Sequence, residues 1–237
     1  PKHVDALVKR WFSEGMSAGT IKNRMNCLRW WAAKVDRRNV VARSNDFYGI
    51  PDRQFVSNAS KAVLLENQQL LAVRDDYVRM SLELQQAFGL RREEAIKFKP
   101  GFADKGDHIV LKDSWTKGGK ARVVPLYTDK QREVLNRAHR LAGSGSLIPS
   151  HKQYVQQLRV YERHTTQAGL SRLHGLRHAY AQQRYQQLTG WLSPAAGGPV
   201  SAVLSPEQKQ QDHQARLMVS QELGHSREQI SAVYLGR

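Results

Sequence analysis

The sequence predicts a mainly α-helical protein with one small antiparallel β-sheet, built as a short helical unit followed by a larger one. Three observations predict it. Apolar residues recur at helical spacing along most of the chain. Two β-branched runs, HIVLKDSW and ARVVPLY, flank the turn TKGGK. Residues 44–60 break periodicity with Gly, Pro, Asn, Asp and Ser, which reads as a linker. The expected division is therefore a helical domain over 1–43, a linker over 44–60 and a larger domain over 61–237.

Taken in order, residues 4–12 read as a short helix and 20–36 as a longer amphipathic one, with Ile21, Met25, Leu28, Ala32 and Val35 facing inward. Lys22, Arg24, Asn26 and Arg29 fall outside that stripe, on a solvated face or one that meets a nucleic-acid groove. Helices are expected over 61–75 and 76–88, with another opening at Leu90. The two β-branched runs form a hairpin over 108–127. Helices resume over 128–142, 151–168 and 175–189, and helical spacing returns over 211–235. Between them, 190–210 is rich in Pro, Gly, Ser and Ala and longer than most loops of compact domains, so it reads as a flexible insertion. No internal repeat is visible.

Composition narrows the partner. Lys and Arg number 37 against 21 Asp and Glu, a formal charge of +16. Such a surplus is silent on fold but favours a polyanion, through long-range attraction and counterion release from nucleic acid. Cys27 is the only cysteine, which excludes an internal disulfide and a Cys-rich zinc site and fits a reducing compartment. No apolar run approaches the ~20 residues that span a bilayer. The chain opens without an initiator Met and reads as a fragment, with sequence missing upstream.

Five separated places carry side chains suited to chemistry. In GLRREE, Arg91 and Glu94 stand three apart, on one side of a helical turn, and pair as readily on a surface as in a site. Lys117 sits in the hairpin turn, where it is either solvated or able to reach into a groove, with Lys112 and Lys120 as competitors. In LHGLRH, His174, Arg177 and His178 share a helical face. Charged, they repel, and an anion between them removes the objection; a phosphate suits because Arg meets it with two parallel hydrogen bonds. His174 and His178 also have the i, i+4 spacing of a zinc pair, but no Glu lies between them as in H-E-x-x-H and an Arg is a poor neighbour for a cation. His225 follows a helix-ending Gly, and Tyr234 comes nine positions later.

Together, two arginines, a lysine, two histidines and a tyrosine, without an acidic pair for Mg²⁺, suit phosphoryl transfer by a covalent route that uses no metal, ATP or other cofactor. Tyrosine oxygen attacks phosphorus, splitting one hard step into two. The arginines bear the charge that builds on the non-bridging oxygens. The lysine protonates the departing oxygen while the histidines orient groups and move protons. Phenol ionises near pH 10, so the tyrosine requires a cationic setting.

The order and spacing of GLRREE, WTKGGKARVVPL, HGLRH, ELGHS and Tyr234 resemble the tyrosine recombinase (phage integrase) family over roughly 61–237. The resemblance implies a tyrosine-recombinase catalytic domain, mostly helical with a small antiparallel sheet, preceded by a short helical core-binding (SAM-like) domain. The two would clamp opposite faces of double-stranded DNA, with four protomers assembled across two sites in a bacterial cytoplasm or nucleoid. It implies that Arg91 and Arg177 hold the scissile phosphate, that Lys117 is the general acid, that His174 and His225 assist, and that Tyr234 forms a 3′-phosphotyrosine. Glu94 would be supportive and His178 chiefly structural. The activity implied is site-specific recombination, as in integration or excision of a mobile element.

Three features depart from the family. The core-binding part is short. His178 and His225 lie 47 positions apart, about twice the family's interval, because of 190–210. The chain stops three residues after Tyr234, whereas many relatives continue into an element that docks on a neighbouring protomer; assembly through the 190–210 segment is one alternative. A type IB-like topoisomerase or a non-cutting DNA-binding relative are the competing functions. The DNA site, the kind of rearrangement and any accessory DNA-bending proteins are not encoded in these motifs.

Overall fold

The computed structural model describes residues 2–53, 55–225 and 227–237. The chain divides into two compact units, Pro1–Phe55 and Val56–Arg237.

The first unit pairs α1 (Lys2–Ser13) with α2 (Ala18–Lys34). Ser17 caps α2 by accepting the Thr20 N–H, which satisfies one of the donors left over at a helix start. Its small core joins Val4, Val8 and Trp11 to Ile21, Met25 and Ala32. Leu28 is only partly covered, and Val35, expected inside, lies past the helix end and is 45% exposed. Residues 44–50, expected in the linker, pack into this unit: Asp46–Tyr48 forms a 3₁₀ turn, Tyr48 Oη accepts the Ala42 N–H at 2.8 Å, and Ile50 is buried.

The second unit is built around α4 (Asp76–Phe88), which follows the short α3 (Asn67–Ala72). Helix α4 is apolar on two faces. Met80, Leu84 and Phe88 enter the main core, whereas Val78 and Leu82 enter a second cluster with Ile96, Tyr161 and Leu176. Burying each Leu stabilises by roughly 2 kcal/mol, so α4 is the element on which the others settle. Residues 61–66, expected as helix, form no regular element, and the Val63 N–H is bonded to the Gly175 carbonyl at 3.0 Å.

After α4 come α5 (Arg92–Ile96) and α6 (Pro100–Ala103), then the hairpin of β1 (His108–Leu111) and β2 (Arg122–Pro125). The strands are antiparallel, with Ile109 opposite Val124 and Leu111 opposite Arg122. They are shorter than the β-branched runs. Asp113–Trp115 is a 3₁₀ turn, because Asp113 Oδ1 takes the Ser114 N–H and Trp115 packs on Phe98 and Phe102.

Helices α7 (Asp129–Ala142), α8 (Tyr154–Gln167), α9 (Gly175–Thr189) and α10 (Pro206–Glu222) complete the shell, and α11 (Ala232–Leu235) ends it. The helical spacing over 211–235 thus covers two helices, broken at Gly224, whose φ of 70° is left-handed.

The 190–210 segment, expected as a flexible insertion, is irregular only in part. Its last five residues are the first turn of α10, capped by Ser205 with Pro206 at the first helical position. Ser193, Pro194 and Ala195 are buried, and Pro194 and Ala195 abut the backbone at Gly236. Two 3₁₀ turns follow, Pro194–Ala196 and Ser201–Val203; the second is exposed, with Val203 70% exposed.

Candidate active site

Helix α4 ends at Gly89 in the left-handed conformation, and a Cβ there would come within 2.5 Å of the Tyr180 ring. This close turn sets Arg91 at the start of α5. The Arg91 N–H donates to Glu94 Oε2 at 2.7 Å and its Nη1 to Glu94 Oε1 at 2.8 Å, while Nη2 reaches the Leu223 carbonyl at 3.3 Å. Glu94 is fully buried and is gripped from its other side by Arg122, whose Nη1 and Nη2 donate to the two carboxylate oxygens at 2.5 and 2.7 Å. Burial alone would raise the Glu94 pKa; the Arg122 hydrogen bonds and charge, with the Arg91 N–H and the Arg177 charge, outweigh it and bring it to about 2.

Arg177 lies in the first turn of α9 and is 1% exposed. Its Nη1 donates to the Gly89 carbonyl at 2.5 Å, its Nη2 to the Leu223 carbonyl, and its Nε to Tyr234 Oη at 3.3 Å. Desolvation, then the Arg122 and Arg91 charges, lowers its pKa to about 10, which leaves it cationic at neutral pH. Two guanidinium groups therefore pair with one carboxylate while a third, Arg177, acts on it through its charge, a positive excess that attracts an anion.

His225 follows Gly224 and is placed by its N–H on the Ser220 carbonyl at 2.9 Å. Its Nε2 is 3.5 Å from both Tyr234 Oη and Arg177 Nη2. Desolvation and the Arg177, Arg91 and Arg122 charges hold its pKa down at about 4, so at neutral pH its ring is uncharged, and it is a weak base until an anion offsets those arginine charges.

Tyr234 is 5% exposed on α11. Its ring centroid is 4.7 Å from His178 and 5.9 Å from His225, and its carbonyl accepts from Gln182 at 3.0 Å. The backbone beyond it is tied down: Arg216 holds the Gly236 carbonyl at 2.9 Å, and Asn58 bonds both the N–H and the carbonyl of Arg237 at 2.9 Å.

The structure thus brings Arg91, Glu94, Arg177, His178, His225 and Tyr234 into one cluster. His174 stands exposed at the residue before α9 and makes no capping hydrogen bond; its ring is 6.1 Å from the Tyr234 ring between centroids. His178 is buried, and its pKa falls to about 4 through desolvation and the His174, Lys61 and Arg177 charges. Neutrality of this ring relieves the repulsion expected within the motif. Lys117 is not brought in: it is exposed in the turn between the strands, and among the described residues no hydrogen bond or ion pair links it to the cluster. Thr116 Oγ1 instead closes that turn on the Lys120 carbonyl at 2.7 Å.

Of the candidates on α2, Lys22 pairs with Asp52 at 2.7 Å. Arg29 is committed to its own unit, donating to the Ala42 carbonyl and Asn45 Oδ1 at 2.9 Å and to Asn26 Oδ1 at 3.4 Å. Arg24 is exposed and lies over the Trp11 ring. No group of three or more His, Cys, Asp or Glu among the described residues is arranged to hold a metal ion, and no helix among them is long and apolar enough to cross a membrane.

Two residues of the site escaped the sequence reading. One is Arg122. The other is buried Glu222, which receives Tyr127 Oη at 2.5 Å, Tyr180 Oη at 2.7 Å and Arg184 Nε at 3.1 Å and so fixes the end of α10 just before Leu223. The period of β2 held a signal for Arg122, which shares the inward phase with Val124.

The family model described as Integrase matches residues 52–183, and the one described as Phage integrase, N-terminal matches 1–41. Among solved structures, a lambda integrase(75-356) dimer bound to a COC' core site is 16% identical with a TM-score of 0.60, over 100% of this chain and 80% of that one. The chain spans 65% of a longer lambda integrase chain in a similar complex. XerH site-specific recombinase bound to palindromic difH substrate is 19% identical with a TM-score of 0.56, over 98% and 66% of the two chains. At these identities the likeness is one of fold. No curated protein sequence matches. Because the Integrase match alone spans more than half of the chain, this protein belongs to the phage integrase, or tyrosine recombinase, family.

Proposed function

We propose that the chain is a site-specific DNA recombinase that cuts and rejoins strands through a 3′-phosphotyrosine, serving integration or excision of a mobile element. The observation that carries this reading is the placement of Tyr234 Oη, 3.3 Å from Arg177 Nε and 3.5 Å from His225 Nε2, beside the Arg91–Glu94 pair. A hydroxyl so placed has a charge-stabilising cation on one side and a neutral proton acceptor on the other.

In the forward step Tyr234 Oη bonds to phosphorus and the bond from phosphorus to the 5′-oxygen breaks. The phenolic proton passes to His225, and Lys117 protonates the departing 5′-oxygen. Lys117 reaches the groove only when its exposed turn bends over bound DNA. Arg91 and Arg177 hold the non-bridging oxygens; three of the five Arg177 N–H groups donate to Tyr234 and two carbonyls and a fourth faces His225 Nε2 at 3.5 Å, which leaves one free for phosphate. One ester is exchanged for another, so a second strand's 5′-hydroxyl can reverse the step with no ATP. The charge of +16 supports a duplex DNA partner. Lambda integrase as a tetramer on a Holliday junction, similar in fold, supports assembly of four protomers.

The test is trapping. Wild type and Tyr234→Phe are incubated with pooled nicked duplexes in EDTA, and SDS-resistant protein–DNA adducts are counted. The expected result is an adduct with wild type only. Equal adducts in both proteins would overturn the assignment.

A further inference from the structure

Building on the proposed phosphoryl-transfer site, we infer that Arg122 is a positioning residue: from the start of β2 it fixes the Glu94 carboxylate and thereby aims the Arg91 guanidinium at the phosphate. Three observations carry this. Arg122 grips both oxygens of Glu94, and the same carboxylate holds the Arg91 backbone and side chain. The Arg122 side chain also runs beneath the turn that presents His225; a Cβ on Gly224 would stand 2.8 Å from its Cδ. Finally, Arg122 occupies the inward phase of β2, opposite Leu111, where an apolar side chain would pack without cost.

Stability gives a weak reason for a charge at that place. A buried ion pair is commonly matched by apolar residues of similar volume, and Arg122 even keeps a buried Nε with no hydrogen-bond partner. Catalysis gives a strong one. Glu94 opposite Arg91 alone would orient that guanidinium and cancel its charge together. With Arg122 offsetting the carboxylate, Arg91 keeps both its geometry and its net attraction for a phosphate. Arg122 also begins the strand that leaves the Lys117 turn, so the same contact registers that turn against the clamp.

The test uses the full chain with duplex DNA. Lysine cannot reproduce a two-point grip on a carboxylate. Arg122→Lys should therefore slow single-turnover adduct formation at saturating DNA by about 100-fold, the scale of a small misplacement of reacting groups, while DNA affinity changes less than about threefold. Arg122→Met/Glu94→Leu removes both charges. It should recover the melting temperature that Arg122→Met loses, without recovering the rate. Arg122→Lys cleaving at the wild-type rate, or a double variant whose rate returns with its stability, would overturn the inference. Should the wild type itself form no adduct, the proposed function fails, and the inference is judged by NMR of the Arg91 guanidinium. Its protected N–H signals must vanish in Arg122→Lys; unchanged signals overturn it.

Discussion

His178 offers a prediction whose size follows from its surroundings. Its ring is buried against Tyr234, with His174, Arg177 and Lys61 as the charged or titratable neighbours, and its folded pKa is about 4 against 6.5 for a free histidine. The unfolded chain therefore binds this proton more tightly than the folded one. Stability from His178 is complete above about pH 6.5 and is lost as pH falls toward 4. The whole shift is worth about 3 kcal/mol, of which about 2.5 kcal/mol is lost by pH 4.5. His178→Phe keeps a ring of similar size and cannot titrate. Between pH 7 and pH 4.5 the wild type should lose about 2.5 kcal/mol more than this variant, read by urea denaturation with circular dichroism. His225 carries a similar depression, present in both proteins, and cancels in the difference. Identical pH dependence in the two would refute a neutral, desolvated His178.

Three further substitutions separate position from chemistry. Gly224→Ala forces a side chain into a left-handed φ of 70° and against Arg122; it should cost more than about 1 kcal/mol and depress adduct formation, measured together on one preparation. Lys117→Met touches an exposed turn, so melting temperature and DNA affinity should hold while cleavage falls. A substrate with sulfur in place of the 5′-bridging oxygen should restore cleavage, since a thiolate leaves unprotonated. Gly236→Ala places a Cβ 2.5 Å from Asn58 Oδ1 and 2.8 Å from the Ala195 nitrogen at a φ of 77°, so amide hydrogen exchange over 232–237 should quicken while α4 stays protected.

Much of the fold was legible because local signals agreed with tertiary demand. Helix α9 runs over the expected 175–189, opened by the HGLRH motif and closed by Gly190 in the left-handed conformation. The hairpin was visible in its β-branched alternation, yet its length was not, because Asp113 and Trp115 spend their side chains on a turn and a core contact. Residues 190–210 read as a flexible insertion since they lack periodicity; the helix start at Ser205–Pro206 went unread within it, and the packing of Pro194 and Ala195 at Gly236 depends on a contact some 40 residues away that no local pattern encodes. Arg122 illustrates the same limit at the site. Its phase on β2, shared with Val124, hinted that it points inward, but only the fold shows that what it meets there is Glu94. The candidate residues themselves were readable because their chemistry is carried by short motifs in a fixed order.

The most direct test of the account is to identify the bond in a trapped adduct. Wild-type protein is trapped on nicked duplex, digested with protease and nuclease, and the nucleotide-bearing peptide is sequenced by mass spectrometry. The account predicts one modified peptide from 228–237, with Tyr234 joined through its oxygen to a 3′-phosphate. Attachment to any other side chain, or to a 5′-phosphate, would contradict it.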